Sequence, residues 1–204
     1  MHIAIVGNIG AGKTTLATKL SQHFKWDLYL EAVDNNPYLK DFYEDMERWA
    51  FHLQVFFLNS RFAQVQQIQQ TDRSVIQDRT IYEDAHIFAR NLHQSGLMST
   101  RDYENYFSLF QSMISMVKAP DLMIYLKADL PKLIGQIEKR NRDYESSISI
   151  NYLRNLNDHY NTWMSSYDLG KLLVIDVNQM DFVANPEDLG TIIEKIQVEL
   201  FGLF

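Results

Sequence analysis

A parallel β-sheet wrapped on both faces by helices is the fold class that these 204 residues predict. Three observations carry it. Short apolar runs of strand length alternate with long helical patterns, the signature of βαβ construction. The first run opens directly into a glycine-rich turn and then a helix. No repeat, low-complexity tract or Pro/Gly-rich linker interrupts the chain, so residues 1–204 read as one domain, of a length that a single core can serve.

The elements follow in order. His2–Gly7 is a buried strand, with the run Ile3-Ala4-Ile5-Val6. Gly7-Asn8-Ile9-Gly10-Ala11-Gly12-Lys13-Thr14 matches a phosphate-binding loop, and Thr15 begins a helix with Leu16, Leu20 and Phe24 at four-residue spacing. Glycines let backbone N–H groups turn toward a polyphosphate, and the helix N-terminus adds partial positive charge. Lys13 can reach the terminal phosphates, and the Thr14 hydroxyl can ligate magnesium. This segment implies a nucleoside triphosphate ligand. Further strands are read at Asp27–Glu31, Ser74–Asp78, Leu122–Lys127 and Leu172–Val177. Asn36-Pro37 is a cap and first-turn pair for a helix starting there. Glu47 to Gln70, free of Gly and Pro, is a long helix. Ser99 caps a helix that carries Tyr103, Phe107, Phe110, Ile114 and Val117 on one face and stops before Pro120. Asn185-Pro186 opens a last helix with Leu189, Ile192, Ile193, Ile196 and Leu200. Ligands of such sheets bind beyond the carboxyl ends of the strands, which singles out Glu31, Asp78 and Arg79.

Composition narrows the function. Without cysteine, neither a disulfide framework nor a zinc-thiolate site is possible. A net charge of −7 argues against a nucleic-acid polymer as partner. The chain starts almost in a strand, leaving no room for a signal peptide, and no apolar run is long enough to span a bilayer. A cytoplasmic protein that binds no membrane is expected. The histidines show no paired metal spacing. His86 and His93 share a helical face and read as solvent-facing, as does the helix carboxylate Glu83.

A phosphate loop alone does not separate a switch GTPase, a motor ATPase and a small-molecule kinase. A guanine-reading segment would need Asn-Lys, a pair absent from the chain. Val75-Ile76-Gln77-Asp78-Arg79 ends in an arginine where a motor ATPase usually has a second carboxylate, and an arginine there suits a second phosphate-bearing or phosphate-accepting group. Glu138-Lys139-Arg140-Asn141-Arg142 is either a solvated basic turn or a lid that closes over the triphosphate; beside the loop it looks like the lid. Gln54 and Arg61 lie seven residues apart on one helical face, about 10 Å apart along the axis. Spacing alone favours a solvated stripe with Gln64 and Gln67, the alternative being a buried pair that a ligand completes.

Four segments together resemble the deoxyribonucleoside kinases, most closely their bacterial deoxyadenosine kinase branch, which often also accepts deoxycytidine. They are Leu30-Glu31-Ala32-Val33-Asp34-Asn35-Asn36-Pro37-Tyr38-Leu39, Glu47-Arg48-Trp49-Ala50-Phe51-His52-Leu53-Gln54, Gln77-Asp78-Arg79-Thr80-Ile81-Tyr82-Glu83-Asp84 and Arg140-Asn141-Arg142-Asp143-Tyr144-Glu145. The motif order spans nearly the whole chain. Two positions depart from many relatives: Asp78 stands where they have Glu, and Ala32 where they have Pro.

The resemblance implies a P-loop kinase fold with a five-stranded parallel sheet and an arginine-bearing lid. It implies ATP-dependent phosphorylation of a deoxynucleoside 5′-hydroxyl in nucleotide salvage, with deoxyadenosine first and deoxycytidine or deoxyguanosine as further acceptors. Glu31 is then the general base, Asp78 with Thr14 holds Mg2+, and Arg79 contacts the 5′-oxygen and phosphates. Arg140 and Arg142 meet the donor triphosphate, and Tyr43 and Glu145 the sugar 3′-hydroxyl. Gln54 pairs with the base through donor and acceptor together. Phe88 stacks on the base, and Arg61 with Asp84 forms a charged pair at its far edge. Asp181 and Phe182 fall in a loop resembling the one over the donor adenine. A homodimer through helix–helix packing is also implied. The alternatives are a nucleoside monophosphate kinase of thymidylate type, disfavoured because Thr80 to Asp84 turns acidic, and a nucleotide-dependent switch protein without a phosphoryl acceptor.

Overall fold

Parallel pairing of five strands in the order β2-β3-β1-β4-β5 organises the molecule. The computed structural model describes residues 1–31, 36–142 and 148–202. The strands are β1 (His2–Gly7), β2 (Asp27–Tyr29), β3 (Val75–Asp78), β4 (Leu122–Lys127) and β5 (Lys171–Asp176). The three central strands are buried along almost their whole length, as strands covered on both faces must be. Side chains alternate between two apolar clusters. Val6, Met123 and Tyr125 join the cluster on one face, while Ile3, Ile5, Leu122, Ile124 and Leu126 join that on the other.

The second face is covered by α1 (Lys13–Phe24), whose Leu16 and Leu20 are fully buried, and by α9 (Pro186–Phe201), through Ile192 and Ile196. The first face carries α3 (Met46–Gln70), α6 (Thr100–Ile114) and α8 (Ile150–Ser165). Between α3 and α6 lies a composite helix. It comprises α4 (Ile81–Glu83), a π-helical stretch over Asp84–Ala89 and α5 (Arg90–Gln94). The remaining helices are α2 (Leu39–Glu44) and α7 (Leu130–Arg140).

The expected elements are all present, with local differences at their ends. The helix after Asn36-Pro37 begins only at Leu39, because Asn36 Oδ1 accepts from Tyr38 N at 3.0 Å and closes a side-chain turn instead of capping a helix. Asp45 caps α3, its carboxylate accepting from Arg48 N. On α6 the most deeply buried aromatic is Tyr106, beside Phe110, while Tyr103 and Phe107 are partly buried. Among the described residues no helix is long and apolar enough to cross a membrane.

Candidate active site

The turn after β1 puts the phosphate loop at the carboxyl end of the sheet. Gly10 and Gly12 both adopt left-handed backbone, with φ 85° and 92°. A Cβ on Gly12 would lie 2.8 Å from Phe182 Cζ, and one on Gly10 2.7 Å from the Leu133 carbonyl oxygen, so neither position has room for a side chain. Ile9 N donates to Asn8 Oδ1, Ala11 N to Asn8 O, and Lys13 Nζ to the same Asn8 carbonyl at 3.0 Å. Burial and the neighbouring Arg79 lower the Lys13 ammonium from its ordinary value to about 8. Asn8 in turn donates to Leu153 O and Asn157 Oδ1, tying the loop to α8.

From the end of β3, Asp78 Oδ2 accepts a 2.5 Å hydrogen bond from the Thr14 hydroxyl. Asp78 Oδ1 is buried with no hydrogen-bond partner among the described residues. Arg79 follows in left-handed backbone, φ 73°, unusual for a residue with a side chain and costing about 1–2 kcal/mol. Its amide still extends the sheet ladder by donating to Ile5 O. The strained turn aims the guanidinium into the cleft, where its Cζ sits 4.6 Å over the Phe88 ring. Arg79 Nε lies 3.2 Å from Glu31 Oε1, and Arg61 Nη2 lies 2.6 Å from the same oxygen. Burial raises the Glu31 carboxyl, but Arg79, Arg61 and Lys13 outweigh it and hold the group down at about 2.

Arg61 also pairs its Nε with Asp84 Oδ2 at 2.8 Å, so one guanidinium spans two carboxylates. Burial lifts Asp84 to about 7 against the pull of Arg61. Gln54, only 3% exposed, has its Oε1 buried without a hydrogen-bond partner among the described residues. A single cleft of about 1050 Å³ of empty space, open to solvent, joins these groups. Ile9, Gly10, Lys13 and Thr14 of the phosphate loop line it. Glu31, Gln54, Asp78 and Arg79 line it as well, as do Tyr43, Asp84, Phe88, Arg140 and Arg142.

The deoxynucleoside kinase family model matches residues 3–201. The chain belongs to the deoxynucleoside kinase family. It is 45% identical over 194 residues to a deoxyadenosine kinase of Dictyostelium discoideum, covering 95% of this chain and 78% of that one. It is 37% identical over 196 residues to the deoxyadenosine/deoxycytidine kinase of Bacillus subtilis, covering 95% and 90%. Among solved structures it is similar to the deoxyadenosine kinase from M. mycoides with the products dCMP and a flexible dCDP bound. That match has a TM-score of 0.86 and 28% identity, over 97% of this chain and 99% of that one.

In this deoxynucleoside kinase most of the expected site residues converge. Arg61 stands behind the cleft wall at 1% exposure, reaching Glu31 and Asp84 from α3. Thr15 is exposed on α1, and Gly7, Asn8, Ala11 and Gly12 shape the loop without lining the cleft. Phe182 is buried against Gly12, whereas the Asp181 carboxylate accepts from Val183 N and Ala184 N and closes its own turn. Glu145, like Ala32, lies outside the described residues.

Glu83 is the principal correction. It is not solvated but fully buried. Its Oε1 accepts from Tyr160 OH at 2.6 Å, Arg79 Nη1 at 3.2 Å and Gly7 N at 3.3 Å, and its Oε2 from Thr80 N at 2.7 Å. The readable signal was Thr80-x-x-Glu83, a capping box at the start of α4. His86 and His93 are not simply solvent-facing either. His86 stacks on Trp163, with burial lowering its pKa, and His93 stacks on Tyr103 at 4.5 Å. Gln54 and Arg61 are both buried, in keeping with the resemblance and against the solvated stripe that spacing alone favours. The π-helical stretch that sets Asp84 and Phe88 on the cleft, and Tyr152 in its wall, had no sequence signal of their own.

Proposed function

We propose that this kinase transfers the γ-phosphoryl group of ATP to the 5′-hydroxyl of a deoxynucleoside. Deoxyadenosine is the leading acceptor, with deoxycytidine or deoxyguanosine also accepted. The observation that carries the reading is the single cleft in which Lys13 and the phosphate loop face Glu31, clamped by Arg61 and Arg79, beside the unpartnered Gln54 Oε1. Glu31 takes the 5′-proton. Arg79, Lys13 and the lid residues Arg140 and Arg142 offset charge on the transferring group.

Thr14 and Asp78 fit a magnesium ion. One hydroxyl and one carboxylate with an unpartnered oxygen match a cation that completes its shell with phosphate oxygens and water. When bound, the ion would supply charge neutralisation between the donor phosphates. Gln54 offers an acceptor to an exocyclic amine and a donor to a ring nitrogen, Phe88 a stacking face, and Tyr43 with Glu145 polar groups for the sugar. Phe182 and backbone near Asp181 belong to the donor-adenine loop in this reading. The chain acts as one domain and as a cytoplasmic homodimer. Leu109 on α6 and Met116 just after it, both exposed apolar side chains, support a helix-to-helix contact.

An acceptor panel tests the proposal. Labelled ATP is incubated with each deoxynucleoside and each deoxynucleoside monophosphate. Product from deoxyadenosine supports it, product from monophosphates alone makes the protein a monophosphate kinase, and ATP hydrolysis indifferent to every acceptor makes it a switch protein.

A further inference from the structure

Glu83 touches three parts of the site at once. Its Oε1 accepts from the first amide of the phosphate loop, from Arg79 Nη1 and from the Tyr160 hydroxyl on α8, while Oε2 accepts from Thr80 N. Tyr160 OH also accepts from Arg79 Nη1 at 2.9 Å, so Glu83, Tyr160 and Arg79 form a closed triangle. The opposite side of the guanidinium is directed at Glu31 through Nε, and one face lies over Phe88. A capping box needs only one side-chain acceptor at this position and is satisfied by Glu or Gln alike. Here every named partner of both oxygens is a donor, which an acceptor-only carboxylate alone can satisfy.

We propose that Glu83 and Tyr160 are positioning residues for Arg79. They hold its guanidinium against competition from Glu31, so that Glu31 stays available to the 5′-hydroxyl. The arginine faces two carboxylates, one fully buried and spent on four donors, the other at the cleft. An amide in place of Glu83 would turn its NH2 toward Gly7 N and Arg79, or toward Thr80 N. Either way one donor meets another, and Arg79 loses the charged partner that balances Glu31. The arginine would then close onto Glu31 and make it a poorer proton acceptor.

The inference rests on the phosphotransfer reading above. It is tested by steady-state kinetics with deoxyadenosine and ATP, with melting temperatures measured alongside. Glu83→Gln is expected to lower kcat about 10- to 100-fold with little change in nucleoside KM. Tyr160→Phe is expected to lower kcat by less. The double variant should be no worse than Glu83→Gln, because both act through one guanidinium. In an Arg79→Lys background, Glu83→Gln should add almost nothing. A Glu83→Gln enzyme with wild-type kcat, or a loss fully additive with Arg79→Lys, would overturn the proposal and leave Glu83 as a cap. Should Glu83→Gln fail to fold, Tyr160→Phe in the wild-type and Arg79→Lys backgrounds separates the same two outcomes. A wild-type protein inactive on every deoxynucleoside would instead sink the functional reading itself.

Discussion

One end of the site, the donor end in the reading proposed above, is built on eight consecutive residues, 7–14, whose glycines and internal hydrogen bonds fold the backbone itself into shape. In the same reading the acceptor end takes side chains from just after β2, from α3, the end of β3, α4, the π-helical stretch and α8. They span Glu31 to Tyr160. In the first region, one charged side chain sits on a backbone scaffold. In the second the charges are the scaffold: Arg61 holds Glu31 and Asp84, while Arg79 holds Glu31 and Glu83. Buried charges of that kind persist only when each has a partner, so a change at one is felt at the others. The donor end is therefore modular and the acceptor end is coupled.

The largest expected effects separate chemistry from folding at each end. Glu31→Gln keeps the shape of the base and removes its charge. We expect kcat to fall about 10²–10⁴-fold with little change in nucleoside binding by titration calorimetry. A variant with near-wild-type kcat would remove Glu31 from the mechanism. Lys13→Ala should cost about 10²–10³-fold in turnover while the melting temperature stays close to wild type, since the loop is held by its backbone and by Asn8. A sharp fall in melting temperature with intact specific activity would show the lysine to be structural and the donor end not modular.

The same contrast explains what could be read from the sequence alone. The loop was legible because its chemistry is local, with strand, glycines, lysine and helix all adjacent in sequence. Gln54 and Arg61 were ambiguous because spacing establishes that two residues share a helix face but not which way it points. Gln54 is four residues after the buried Ala50 and four before the buried Leu58, and Arg61 is four before the buried Val65, so both polar residues lie within the apolar stripe. Glu83 escaped for a different reason. A carboxylate in a first helical turn is ordinarily solvated, and its burial depends on Tyr160, 77 residues away on a helix whose packing no local pattern announces.

Coupling at the acceptor end makes a smaller and more particular claim. Asp84→Ala leaves Arg61 with Glu31 as its remaining ion-pair partner among the described residues, and breaking a buried pair from one side typically costs about 3–5 kcal/mol. Removing both charges, Arg61→Met with Asp84→Ala, should destabilise less than Asp84→Ala alone in chemical unfolding. If Asp84 meets the base edge, the double variant should also admit thymidine, whose carbonyl a carboxylate there would repel. Because Arg61 also binds Glu31 at 2.6 Å, it should show a lower kcat with deoxyadenosine than the wild type. If Asp84→Ala is the more stable of the two, the pair is not a unit and the acceptor end is no more coupled than the donor end.

The mildest effect belongs to Lys13 and is read by changing pH alone. Burial and Arg79 bring its ammonium down from 10.5 to about 8 in the folded protein. Triphosphate charge favours the protonated amine, so ATP binding draws a proton onto Lys13 whenever the pH is above that value. Affinity for ATP should therefore weaken as pH rises through about 8, by at most tenfold per unit. Folding stability moves the other way. Between about 8 and 10.5 the unfolded chain binds a proton at this lysine that the folded chain does not, so the lysine's contribution to stability rises with pH across that window. Opposite trends distinguish titration of one lysine from general alkaline unfolding, in which affinity and stability fall together. Calorimetric ATP binding from about pH 7 to about pH 9.5, with denaturant midpoints at the same values, reads both. Lys13→Ala should bind ATP more weakly, with a flatter pH dependence; an unchanged slope in that variant would assign the titration to another group and leave the donor end without its own pH response.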